Sequence, residues 1–286
     1  MEPEVCRSDV ENQWCPGCSN FGILASVKRA LESLALEPHE TCLVSGIGQA
    51  AKLPHYLCSN VFNGLHGRAI PAATGIKVAN PGLTVLVTTG DGDCYGEGGN
   101  HLLHALRRNP DITVVVHNNE VYALTKGQGS PTTPVGERTR LQLRGVENEP
   151  IAALATAIVQ GCGFVARGYA GEIDHLSDLL VRAVRHRGFS LVDVVQPCIT
   201  WGQRPLAWYK DRIVKVGKDH DPHDRAAALA LAAPKGDTIS IGVLYEAPPT
   251  RVFGERYSER TGHRPLARLE PVEDGLIASR LAGYSR

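Results

Sequence analysis

Two groups of residues in this chain have the types and spacing to do chemistry. The first is "GDGDCYGEGGNH", which begins at Gly90, where an apolar run ends and a helical pattern starts; one strand later "HNNEVY" brings Asn118 and Asn119. In a parallel sheet the ligand crevice lies at such carboxyl ends, and a helix N-terminus offers free N–H groups and a favourable dipole to a diphosphate. Asp91 and Asn119, on successive strand ends, supply a carboxylate and an amide oxygen. With a nearby backbone carbonyl they make half of an octahedral Mg2+ shell, which diphosphate oxygens and water complete. Gly-Asp-Gly and Asn-Asn are each common turn formers when met alone; their placement together at adjacent strand ends is what points to a metal.

The second group is "WCPGCS", which sets Cys15 and Cys18 just ahead of an amphipathic pattern. Eight cysteines in 286 residues are too few for a disulfide scaffold, and the paired spacing points to metal or redox work. A zinc ribbon needs a second close pair, which the chain lacks. A thioredoxin-like couple has this spacing before a helix, but the flanking strand–helix pattern does not fit. The run "GDG", 25 residues, then "NN" looks like the thiamine diphosphate motif. A dinucleotide loop is the competitor, and "GDGDCYGEGG" lacks its G-x-G-x-x-G spacing.

The elements that must position these residues are legible as alternating patterns. Residues 20 to 36 place Ile23, Leu24, Val27, Leu31 and Leu34 on one helical face, with Asn20 available as a cap. Residues 41–46, 84–90, 112–118, 163–168 and 190–196 are short β-branched apolar runs, as expected of strands buried on both faces. Helical patterns at 68–79, about 97–108, 150–160 and 172–186 lie between them. The fold class is therefore α/β, a doubly wound, mainly parallel sheet with helices on both faces. Residues 126–139 form a Gly- and Pro-rich loop long enough to expect a function. The expected domain spans residues 1–200 and includes the C-x-x-C segment. Residues 201–286, with a short helical stretch and a strand "ISIGVLYE", read as a C-terminal extension packed on the domain or on a partner subunit.

Thirty basic and thirty acidic residues cancel, so no basic field draws the chain to nucleic acid or an anionic membrane. No apolar run approaches the roughly 20 residues of a membrane span, and the polar, acidic N-terminus is unlike a signal peptide. A cytoplasmic location is expected.

The succession "WCPGC", "SGIG", "LPHY", "LHGRAIPAATGIKVANP", "GDGD", "GGNHLLHALRRN", "NNEVYALTKGQGSPTT", "PC" and "WYKDRI" covers about residues 13 to 246. It resembles the β subunit of 2-oxoacid:ferredoxin oxidoreductases, particularly the 2-oxoglutarate and broad-specificity types. The resemblance implies a thiamine diphosphate-binding fold. It also implies CoA-dependent oxidative decarboxylation of a 2-oxoacid, 2-oxoglutarate or pyruvate-like, to acyl-CoA and CO2 with electrons to ferredoxin. By position, Asp91, the Asn119 side chain and the Val121 carbonyl would bind Mg2+. Gly90, Gly92 and Asp93 would line the diphosphate loop, and Ile47, Gly48, Gln49, His66, Leu124 and Thr125 would contact the cofactor. Lys52 would meet the substrate carboxylate and, with His66, is the catalytic candidate; an arbitrary loop lysine is ordinarily solvated. The family's α subunit usually brings the glutamate that activates the aminopyrimidine, which implies an αβ or (αβ)2 assembly.

Four cysteines hold a [4Fe–4S] cluster in that family. Cys15, Cys18 and Cys198 match three of them, and Gln49 stands at the fourth position. Cys42 lies seven residues upstream, about 23 Å along an extended strand. Cys94 belongs to the diphosphate loop and Cys162 reads as structural, which leaves Cys6 and Cys58 as substitutes. A cluster with a substitute or non-cysteine ligand, a three-iron or labile cluster, and no cluster all stay open. The alternative functions are a cluster-free thiamine-dependent decarboxylase or lyase subunit, and a non-catalytic paralogous subunit.

Overall fold

The computed structural model describes residues 5, 8–233, 237–269 and 274–283. The chain opens with α1 (Asn20–Ser33), then β1 (Thr41–Ser45), β2 (Asn60–Asn63), α2 (Ala69–Ala79) and β3 (Thr84–Gly90). A π-helical turn over Gly92–Glu97 leads into α3 (Gly99–Arg108) and β4 (Thr113–Asn118). A small hairpin follows, β5 (Val121–Tyr122) with β6 (Gln128–Gly129), then α4 (Ala153–Val159), β7 (Phe164–Tyr169), α5 (Ile173–Arg185) and β8 (Ser190–Val195). The remainder holds α6 (Leu206–Lys210), β9 (Ile213–Lys215), α7 (Arg225–Ala232), β10 (Ile239–Glu246), α8 (Glu255–Arg260) and α9 (Asp274–Ala282).

Eight strands form one sheet in the order β2-β1-β3-β4-β8-β7-β10-β9. Its pairs are parallel except β10 with β7. The β-branched runs that alternate with helical stripes produce this arrangement, because a helical crossover brings the chain back in the same direction, to a neighbouring strand as from β3 to β4 and β7 to β8, or one place beyond as from β2 to β3 and β4 to β7. One face carries α2, α3, α4 and α7 over Val44, Val87 and Val114, and the other carries α1 and α5 over Leu43, Val115 and Val192. Strands sandwiched in this way are apolar on both sides, and all of β1 is buried. Residues beyond 200 supply β9 and β10 to the same sheet.

Some local expectations shift. The helical pattern at about 97–108 becomes α-helix only at Gly99 because the π turn takes the preceding residues. Asn20, expected to cap α1, lies inside its first turn, while Ser19 holds the cap position without a side-chain bond. Asn20 is buried, and its Oδ1 lies 2.8 Å from His117 Nδ1 at the end of β4. α1 comes down hard on the end of β7: a Cβ on Gly22 would lie 2.1 Å from the Ala170 carbonyl oxygen. This contact brings the C-x-x-C segment to the carboxyl edge of the sheet. Among the described residues, no helix is long and apolar enough to cross a membrane.

Candidate active site

The carboxyl ends of β1, β3 and β4 open onto one cleft. Its lining includes every residue that the sequence placed around a cofactor, from Ile47 through Asp91 and Asn119 to Thr125, together with His117 and Tyr122. Gly48 has φ +114°, a conformation that glycine alone adopts readily, and a Cβ there or on Gly90 would meet nothing within 4 Å. Bare backbone thus borders open space on two sides. Lys52 is half-buried on the 3-10 turn Ala50–Tyr56 that follows β1, just past Gln49 and off the cleft lining.

Asp91 is buried beneath this cleft. Its Oδ2 accepts from Ser130 Oγ at 2.5 Å and Thr132 Oγ1 at 2.6 Å, both from the Gly- and Pro-rich loop. Burial pushes its pKa up to about 6 against these hydrogen bonds, with the Asp193 charge adding to the rise. Thr132 Oγ1 also lies 2.9 Å from Asn118 Oδ1, so its single proton is shared. Asn118 Nδ2 donates to both carboxylate oxygens of Asp193, and Asp193 Oδ2 accepts from Tyr95 at 2.6 Å. Burial raises the Asp193 pKa, while Tyr95 and the half-buried Arg167 guanidinium oppose that rise. A continuous network, buried except at the half-buried Asn118, therefore ties Asp91 to the middle of the sheet.

Asp93 is committed otherwise. Its Oδ1 accepts from the Gly67 N–H at 2.7 Å and its Oδ2 from Thr89 Oγ1 at 2.6 Å, which pins the "LHGR" turn to the diphosphate loop. His66 Nδ1 lies 2.7 Å from the same Oδ1 but lacks hydrogen-bond alignment. Asn119 Oδ1 accepts from the Val121 N–H at 3.1 Å across Glu120, whose φ is +59°, so a tight turn sets the Asn119 amide beside the Val121 backbone.

Next to the cleft lies a smaller pocket lined by Trp14, Cys15, Cys18 and Cys198, and sharing Gln49 and Asn119 with it. All three thiols are free, and each has a donor: Thr200 Oγ1 at 3.4 Å from Cys15 Sγ, Gln196 Nε2 at 3.9 Å from Cys18 Sγ, and the Trp201 N–H at 3.4 Å from Cys198 Sγ. Burial raises the Cys18 pKa, and the neighbouring Cys198 and Cys15 raise it further; the Asn20 N–H works the other way. The Gln49 carbonyl accepts from Trp14 Nε1 at 2.8 Å, while its side-chain Oε1 is buried without a partner. Among the described residues, no three His, Cys, Asp or Glu side chains stand together in metal-holding geometry. Cys42, Cys94 and Cys162 are buried elsewhere, Cys58 is exposed and off the pocket lining, and Cys6 lies outside the described residues.

Residues 44–194 match the family described as Thiamine pyrophosphate enzyme, C-terminal TPP binding domain, and residues 198–261 match the family of the C-terminal part of the pyruvate ferredoxin oxidoreductase beta chain. The chain is 42% identical to 2-oxoacid:ferredoxin oxidoreductase 1, subunit beta, of Aeropyrum pernix, over 94% of this chain and 90% of that one. The chain belongs to the β subunits of the 2-oxoacid:ferredoxin oxidoreductases. The 2-oxoglutarate synthase subunit KorB of Archaeoglobus fulgidus is 43% identical over 65% of this chain and 70% of its own. A solved 2-oxoglutarate:ferredoxin oxidoreductase from Magnetococcus marinus, with 2-oxoglutarate, coenzyme A and succinyl-CoA bound, superposes with a TM-score of 0.90. It is 32% identical, and the match covers 100% of this chain and 96% of that one.

In this β subunit, sequence reasoning missed Ser130, Thr132, Asp193 and His117. The "SPTT" hydroxyls within an overlong loop were the available signal for the first two. His117 is 1% exposed, and its Nε2 is buried without a partner. Burial drives its pKa down to about 3, so the ring is neutral. As an amide oxygen only accepts, Nδ1–H donates to Asn20 and Nε2 carries the lone pair.

Proposed function

We propose that this β subunit, joined to an α partner, holds thiamine diphosphate and Mg2+ in the cleft and takes part in CoA-dependent oxidative decarboxylation of a 2-oxoacid, with electrons passing to ferredoxin. The observation that carries the reading is the meeting of three strand ends on one cleft: Gly48 with Gln49, Gly90 with Asp91, and Asn119. The donor set fits. Both loop hydroxyls take Asp91 Oδ2, which leaves Oδ1 clear of them. Asn119 and the Val121 carbonyl add neutral oxygens, the hard ligands that Mg2+ accepts beside phosphates. The open backbone at Gly48 and Gly90 leaves room for a diphosphate. The bound cofactor supplies a carbon nucleophile and an electron sink for CO2 loss. The protein supplies position and field: Asp91 holds the cation, the π-turn backbone faces the diphosphate, His66 serves the cofactor, and Lys52 serves the substrate carboxylate. The Magnetococcus relative's bound 2-oxoglutarate and CoA favour the same substrates here. Ile47, Leu65 and Leu124 are exposed around the cleft, an apolar rim that an α subunit would cover.

We place an iron–sulfur cluster at Cys15, Cys18 and Cys198. Three free thiols beside N–H or O–H donors in the lining of one pocket support this. Gln49 favours a second reading, a cluster-free decarboxylase. Anaerobic purification with the partner decides between them: a brown complex with iron supports the oxidoreductase, and a colourless complex that releases CO2 without reducing an acceptor supports the second reading.

Thr132→Val removes the hydroxyl that joins Asp91 to Asn118. The Mg2+ concentration needed for half-maximal thiamine diphosphate binding should rise by about 10-fold or more, as for other outer partners of metal ligands. Calorimetric titration measures it, and an unchanged requirement would detach this network from the metal.

A further inference from the structure

We propose that Arg204 is a positioning residue, a brace from the chain beyond β8 that keeps one wall of the cleft, residues 121–125, in its binding geometry; this rests on the reading of the cleft as the thiamine diphosphate site. Residues 121–125 all line the cleft, and the backbone at either end of them is left-handed: Glu120 has φ +59° and Lys126 φ +77°. Residues other than glycine stay in that region only where their surroundings over-determine it. The segment after Cys198 supplies those surroundings at both ends. Arg204 Nη1 lies 3.0 Å from Glu120 Oε2, Nη2 pairs with Glu137 of the Gly- and Pro-rich loop, and the guanidinium sits 4.4 Å from the centre of the Trp208 ring on α6. At the other end Trp201 backs Gly127 so closely that a Cβ there would lie 3.0 Å from Trp201 Cε3. Glu120 itself stays out of the cleft lining: its carboxylate goes to Arg204, and its carbonyl accepts from Thr133 Oγ1 at 2.6 Å.

A guanidinium presents several N–H donors in a rigid fork, so one arginine can hold two carboxylates at a fixed separation. Here the fork ties the Glu120 turn to the loop whose Ser130 and Thr132 bind Asp91. Among the described residues, Arg204 is the one side chain that pairs with the Glu120 carboxylate. Without it the turn relaxes toward negative φ, and Asn119 and Val121, which the turn sets side by side, lose their shared orientation. Glycine takes a positive φ without strain, so Glu120→Gly should make the brace dispensable. A residue that merely stabilised the fold would not be relieved in this way.

The test is calorimetric titration of thiamine diphosphate, at saturating Mg2+, into the αβ complex, with hydrogen exchange of residues 119–127 in the cofactor-free complex as a second readout. Arg204→Leu and Glu120→Gln should each weaken binding by about 10-fold or more, as loss of a group that orients metal ligands does. Both should also speed exchange across the turn. Arg204→Leu placed in the Glu120→Gly background should bind within about 2-fold of Glu120→Gly alone, the non-additivity expected of residues that act on one another. Glu137→Gln leaves the Glu120 pair in place and should cost much less. An Arg204→Leu variant that binds like the wild type would overturn the proposal. So would an equal loss in the Glu120→Gly background, which would show that Arg204 acts through Glu137 or through the fold at large. Failure of the wild type itself to bind thiamine diphosphate rejects the cofactor reading, and exchange then judges the brace alone: faster in Arg204→Leu and restored in the double variant supports it, unchanged in Arg204→Leu overturns it.

Discussion

Asp91→Ala abolishes Mg2+-dependent binding of thiamine diphosphate while the chain stays folded. Asp91 is the one acidic group among the proposed ligands, so its loss should exceed the roughly 10–100-fold that an outer partner costs. The same side chain weighs against the folded state when no metal is present. Its pKa rises from the usual 3.8 to about 6 through burial. A carboxyl raised in this way binds more protons folded than unfolded between those values, so its stabilisation is full below 3.8 and is lost as pH climbs through 6. Above pH 6 the buried charge costs on the order of 3 kcal/mol. Asp91→Asn, which keeps the shape and an oxygen for Ser130 and Thr132, should therefore melt higher than the wild type at pH 7.5 without Mg2+ and yet fail to bind the cofactor. Melting curves with and without Mg2+ and thiamine diphosphate check both halves. An Asp91→Asn variant that melts lower and still binds would contradict the assignment.

His117 carries the second large effect. The folded chain keeps this imidazole neutral, with its pKa lowered to about 3 from an ordinary 6.5, because burial penalises the charged ring. Between those values the unfolded chain holds the extra proton, so stability falls as pH drops from 6.5 toward 3. From pH 7 to pH 4 the loss through this one group is about 3 kcal/mol. His117→Gln removes the titration, and the difference between wild-type and variant urea midpoints isolates it from the carboxylates that titrate in the same window. The variant should gain on the wild type steadily as the solution is acidified. Parallel curves would show that His117 titrates normally and is not sealed as described.

The parts of the site that were legible in the sequence are those that local chain geometry determines. "GDG" and "NN" end neighbouring parallel strands, and strands of that kind announce themselves as apolar β-branched runs. Asp91 and Asn119 therefore meet at one cleft without any knowledge of the loops. Ser130 and Thr132 were illegible because their contact with Asp91 depends on the path of a loop that returns across the sheet. Asn20 misled for a related reason: a capping residue and a buried amide partner look alike until His117 is seen beneath it. β2, with exposed Asn60, Val61, Phe62 and Asn63, has no buried face to pattern it, and the antiparallel turn of β10 comes from a segment with weak alternation. The cysteines lie between these cases. The close pair was visible, and Cys198 joins it through the tertiary path after β8.

Joined to its α partner, this chain should complete a thiamine-dependent 2-oxoacid oxidoreductase. Anaerobic viologen reduction by that complex, supplied with 2-oxoglutarate, CoA, Mg2+ and thiamine diphosphate, tests this. Reduction that requires all four, yields succinyl-CoA and disappears with Asp91→Ala is the predicted result; no acceptor reduction with 2-oxoglutarate, pyruvate or any other 2-oxoacid would contradict it.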